Sequence, residues 1–96
     1  MATYVVLFNW TEQGIRNVKE TTKRYDAAIA AADKMGVRIQ QLLYTMGPYD
    51  FVGICEAKDE QSFNAFCLAT GAQGNVRSTT MRAFTVDEMK GILTKF

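Results

Sequence analysis

Met46-Gly47-Pro48-Tyr49-Asp50 stands between two strand-like runs, Val37 to Thr45 and Phe51 to Ala57, and its reading decides the fold. The chain's single proline has its φ preset for the first central position of a turn, and it pushes Gly47 out of the helical region. So tight a turn joins the flanking strands as an antiparallel hairpin. The first of these strands carries Val37, Ile39 and Leu43 among polar residues, and the second is almost continuously apolar.

Outward from the hairpin the pattern repeats on both sides. Towards the N-terminus, Tyr4 to Phe8 is β-branched and aromatic, and too short for a core helix, so it reads as a strand. Thr11 then caps a helix, with Glu12 placed early enough to suit the helix dipole. Ile15 and Val18 begin helical spacing, and Tyr25, Ala28, Ile29, Ala32 and Met35 resume it up to a stop at Gly36. The polar stretch Glu20-Thr21-Thr22-Lys23 predicts a kink or break, because adjacent threonines lose rotamer freedom in a helix. Towards the C-terminus, Asp59 precedes Phe63, Phe66, Cys67 and Thr70, which predicts a helix over 59–71 with Gly71 as its stop. Gly74-Asn75 marks a loop, Val76 to Phe84 a strand, and Thr85 or Asp87 the start of a short helix through Leu93.

Two βαβ-type crossovers joined by a hairpin give a ferredoxin-like βαββαβ layout with a C-terminal helix, an α+β fold with helices on one face of an antiparallel sheet. The other face poses a problem. An antiparallel sheet with one wet face should alternate polar and apolar residues, yet Val5 and Leu7 oppose Tyr4, Val6 and Phe8. Val52 and Ile54 likewise oppose Phe51, Gly53 and Cys55, so neither face is suited to water. With no third layer in the chain, the second face is expected to pair with that of another copy, as a homodimer of dimeric α/β-barrel type.

Composition agrees. A chain of 96 residues with 48% hydrophobic content reads as a single domain over 1–96. Size scaling predicts roughly 5,500 Å² of folded surface against roughly 15,700 Å² unfolded, a marginal burial for a monomer. Eleven basic and ten acidic residues supply no electrostatic footprint for nucleic acid or an anionic membrane. The absence of histidine removes the usual general acid/base, the commonest zinc ligand and the usual haem ligand, so neither metal nor cofactor is expected. The N-terminal apolar run lacks a basic leader and a cleavage site, and no stretch reaches the roughly 18 apolar residues of a membrane span. Cys55 and Cys67 form no C-x-x-C and read as free thiols in a reducing cytoplasm.

Gly47-Pro48-Tyr49-Asp50-Phe51-Val52, with Glu56-Ala57, Gly74-Asn75-Val76-Arg77, Arg82-Ala83-Phe84-Thr85 and the early Thr11 to Asn17 segment, resembles the GYD-domain family along nearly the whole chain. The resemblance implies a small bacterial or archaeal protein of dimeric α/β-barrel type, from a family largely without an assigned biochemical role. Gly47, Tyr49 and Asp50 match its naming motif, with one residue between glycine and tyrosine, as signature positions only.

Five residues form the candidate ligand-binding set. Asp50 is a general base if a barrel mouth desolvates it, or else it closes the turn by accepting from nearby backbone N–H groups. Tyr49 either presents its hydroxyl to a ligand or lays its ring over the hairpin. Asn9 and Trp10 end the first strand where indole and amide suit a flat, partly polar ligand, or where they fill a sheet edge and a turn. Arg77 is the cationic candidate; Arg82 lies an odd number of residues away, so a regular strand cannot aim both at one anion. Gly71 to Asn75 precedes a strand, whereas a phosphate-cradling loop opens a helix. No group adjoining either cysteine promotes a thiolate, since the one charged neighbour, Glu56 beside Cys55, disfavours it, and the methionines read as core filler.

Two functions follow. The first is a homo-oligomeric protein that binds a small apolar or aromatic molecule near Trp10, Tyr49 and Asp50, or serves as an assembly module. The alternative is a cofactor-independent enzyme of the small monooxygenase or isomerase kind using Asp50 and Tyr49, by analogy of fold.

Overall fold

The β-branched and aromatic runs become strands, and the alanine-rich and phenylalanine-spaced segments become helices, in the computed structural model, which describes residues 1–96. The elements are β1 (Ala2–Trp10), α1 (Glu12–Arg16), a 3-10 turn (Val18–Glu20), α2 (Thr21–Lys34), β2 (Val37–Tyr44), β3 (Phe51–Ala57), α3 (Glu60–Ala72), β4 (Val76–Ala83) and α4 (Val86–Leu93). The four strands form one antiparallel sheet in the order β2-β3-β1-β4, the ferredoxin-like arrangement.

Local chemistry accounts for the helix boundaries. Thr11 accepts at Oγ1 from the Gly14 N–H, Asp59 accepts from the Ser62 N–H, and Thr85 with Glu88 forms a reciprocal capping box. Two boundaries differ from the sequence expectation. The helical break falls at Asn17 and the 3-10 turn, and Thr21 and Thr22 open α2. The 3-10 turn before them is tighter than an α-helical one, and standing at the start of α2 the threonines spare the helix interior their rotamer cost. The third helix runs through Gly71 to Ala72, and the chain reverses only at Gly74, whose φ of +86° is the left-handed conformation that glycine adopts freely.

Strand parity is settled by burial. Tyr4 and Val6 face the helices, and with Ala32, Val37, Cys55, Ala57, Phe63 and Phe66 they make the core, where the Tyr4 and Phe63 rings stack at 4.1 Å. Val5 and Leu7 take the open face beside their register partners Ile54 and Val52. Period-two counting from Val37 and Ile39 would put Leu43 on the helix face. A β-bulge between Ile39 and Gln41 reverses the parity, so that Leu43 pairs with Val52 on the open face, and Leu42 and Tyr44 turn towards the helices opposite Gly53 and Phe51.

That open face has no layer over it. Leu43 and Met81 are 52% and 46% exposed on it, while Val86, Met89 and Leu93 give α4 an exposed apolar stripe. The accessible surface is 6580 Å², about 1,000 Å² above the size-scaling value. The radius of gyration, 14.3 Å, similarly exceeds the roughly 12.5 Å of a compact chain this long.

Candidate functional site

A cavity of about 200 Å³ lies between the helix face of the sheet and the helices α2 and α3. It exists because small side chains stand where large ones would fill the space. Gly53 in β3 and Ala27, Ala28 and Ala31 in α2 line it, opposite aromatic side chains from β1, β2 and β3. At one end Phe51 stacks on Phe8 with centroids 4.4 Å apart, and Trp10 and Tyr44 tilt onto Phe51 at 5.7 and 5.6 Å. The Tyr44 hydroxyl lies 3.1 Å from Thr21 Oγ1, which ties β2 to the start of α2.

Arg24, one turn into α2, is the only charged residue of the lining. Its Nη1 donates to the Asn17 carbonyl at 2.9 Å, capping the break before α2, while its Nη2 is buried with no hydrogen-bond partner. Trp10 Nε1 is buried and unpartnered as well. No carboxylate lines the cavity. Cys55 and Cys67 do, both as free thiols. Burial pushes the Cys55 thiol up to about 11, the neighbouring Cys67 adding to the effect, and burial raises Cys67 too, partly offset by its contact with Thr80 Oγ1. Both stay protonated at neutral pH, which withholds the thiolate a nucleophile requires.

Of the five residues proposed from the sequence, Trp10 alone lines the cavity. Asp50 sits beside it as a support, its Oδ2 accepting from the Trp10 backbone N–H at 2.8 Å, while its own N–H donates to the Phe8 carbonyl at 2.8 Å. Asn9 Nδ2 donates to the Pro48 carbonyl at 2.8 Å, and the Tyr49 carbonyl accepts from Thr45 Oγ1 at 2.7 Å. The Asn9 and Asp50 bonds lash the β2–β3 hairpin to the end of β1, and the Thr45–Tyr49 bond closes the turn itself. Arg77 is the register partner of Asn9 on the open face, away from the cavity. Arg82, on the other face, lays its guanidinium 4.5 Å from the Phe84 ring centroid.

Sequence reasoning missed Arg24 and Tyr44. Arg24 stands in a polar helical stretch and reads as solvated, and Tyr44 reaches the cavity only because of the bulge near Gln40. Neither signal was local. No group of three histidine, cysteine, aspartate or glutamate side chains is close enough to hold a metal ion. No helix is long and apolar enough to cross a membrane.

Known proteins place the chain. A curated relative from Thermus thermophilus, the glutamine synthetase and cystathionine beta-lyase binding protein, is 28% identical over 90 residues, spanning 93% of this chain and 95% of that one. The crystal structure of FFRP-DM1 matches with a TM-score of 0.63 at 14% identity, over 88% of this chain and all of the other. The crystal structure of TTHA0845, also from Thermus thermophilus, matches with a TM-score of 0.55 at 22% identity, over 90% of this chain and 96% of that one. Both structures share the fold. The family model of the GYD domain matches residues 4–93, and the chain belongs to the GYD-domain family.

Proposed function

We propose that the chain is one protomer of a homodimeric binding module, paired through its open sheet face and α4, with the cavity behind the sheet taking a small molecule. The uncovered apolar face carries this reading. The surplus of about 1,000 Å² over a compact monomer is close to the roughly 800 Å² that each partner contributes to a standard interface. A second copy is the occupant that fits, because the sheet faces are apolar along several strands and a twofold axis makes one such face complementary to itself. The T. thermophilus relative is named for binding two enzymes, which supports an assembly role for the dimer.

The alternative of an enzyme built on Asp50 and Tyr49 has less to stand on, since the Asp50 carboxylate is engaged by the Trp10 N–H and neither residue lines the cavity. The two free thiols fit a reducing cytoplasm.

Sedimentation at micromolar concentration tests the reading. A dimer is expected, and Leu43→Glu or Met81→Glu, at exposed positions of the open face, should give folded monomers. A monomeric unmodified protein would overturn it. Co-sedimentation with glutamine synthetase from the same source would test the assembly role.

A further inference from the structure

We infer that the cavity between the sheet and α2 takes a small aromatic carboxylate, its ring among Trp10, Tyr44 and Phe51 and its carboxylate on Arg24; this rests on the cavity being a small-molecule site. Size sets the first limit. At about 200 Å³ the cavity exceeds only modestly the roughly 150 Å³ apolar cavity that admits benzene, so one ring with a short substituent fills it. Three aromatic side chains with centroids 5.6 to 6.5 Å apart at one end favour a flat ring over an aliphatic chain.

Polarity sets the second limit. A buried donor with no acceptor costs free energy, more so when it carries charge, and here two such donors belong to one lining: Arg24 Nη2 and Trp10 Nε1. Both can only donate, so the complementary group is an acceptor. The guanidinium is the only charge in the lining, and no protein carboxylate pairs with it, so an anionic acceptor is favoured over a neutral one. The Nη1 bond to the Asn17 carbonyl already holds the guanidinium in place, which lowers the ordering cost of binding. The third unpartnered buried side-chain atom, Tyr4 Oη, is outside the lining.

The sole tryptophan provides the readout, because it lines the cavity. Titration of the full-length protein with phenylacetate and with its neutral isostere phenylacetamide, followed by tryptophan fluorescence and calorimetry, should show the acid binding at least about tenfold more tightly. Arg24→Gln should abolish that preference and Arg24→Lys should retain part of it, with circular dichroism confirming that both variants are folded. Equal affinity for acid and amide, or a preference that survives Arg24→Gln, overturns the carboxylate assignment and leaves the cavity a binding site for neutral rings. Failure of both compounds to bind overturns the small-molecule reading itself.

Discussion

The backbone N–H of Trp10 donates to Asp50 Oδ2 at 2.8 Å across 40 residues of sequence. It joins the end of β1 to the last residue of the β2–β3 turn, and so holds the indole against Phe51 at the mouth of the cavity. Asp50→Ala leaves that half-buried N–H without its charged acceptor and should cost about 1.5–3 kcal/mol in urea unfolding. Asp50→Asn keeps an acceptor and should cost less. Equal losses would show that the hydrogen bond is not what Asp50 contributes.

Gly14 is required by a close neighbour rather than by its backbone angle. A Cβ there would lie 1.9 Å from the Asn75 carbonyl oxygen and 3.1 Å from Trp10 Cδ1. Asn75 cannot retreat cheaply, since the same carbonyl accepts from the Thr11 N–H at 3.0 Å. Gly14→Ala should therefore destabilise by about 1–3 kcal/mol, outweighing the roughly 1 kcal/mol that alanine gains in an exposed helix. A neutral or raised melting temperature would contradict this packing.

Alkaline pH should weaken the fold through Cys55. Its folded-state value of about 11 lies above the ordinary 9.0, so between these the unfolded chain releases a proton that the folded one retains. Stability is full below pH 9 and falls as pH rises towards 11, by about 2–3 kcal/mol from this group. Cys55→Ala lacks the contribution. The stability difference between the two proteins, measured under reducing conditions at pH 8 and pH 10.5, should shift by most of that amount; a constant difference would refute it.

Acid should act on the helix caps. The Ser62 N–H and hydroxyl hold the Asp59 carboxyl below its usual value, and the Thr85 N–H does the same for Glu88. Their contribution is present above the unfolded carboxylate range and is lost as pH falls through the lower folded values. The pH dependence of unfolding between pH 5 and 2 should be shallower in Asp59→Asn with Glu88→Gln. An unchanged slope would place the acid sensitivity elsewhere.

Much of the fold was legible because its cues are local. A proline-containing turn, threonine and aspartate caps and short β-branched runs each act within a few residues, so β3 falls at Phe51–Ala57 as read and α4 opens from Thr85. The candidate site was less legible. Asn9, Tyr49 and Asp50 have the chemistry of a site, but the structure spends the hydrogen bonds of Asn9 and Asp50 on joining the hairpin to β1 and leaves Tyr49 outside the cavity. Nothing beside Arg24 in the sequence marks it as a cavity residue, since only the packing of α2 over the sheet brings it to the lining.

The sequence by itself determined the order of the elements, the ends of most of them and the excess of apolar residues on both sides of the sheet, since periodicity, capping and composition are properties of neighbouring residues. Only the tertiary structure decided which face the helices cover and where the cavity lies. Both depend on contacts between residues far apart in the chain, and on one extra residue near Gln40, whose bulge turns Leu43 outward and brings Tyr44 beside Trp10.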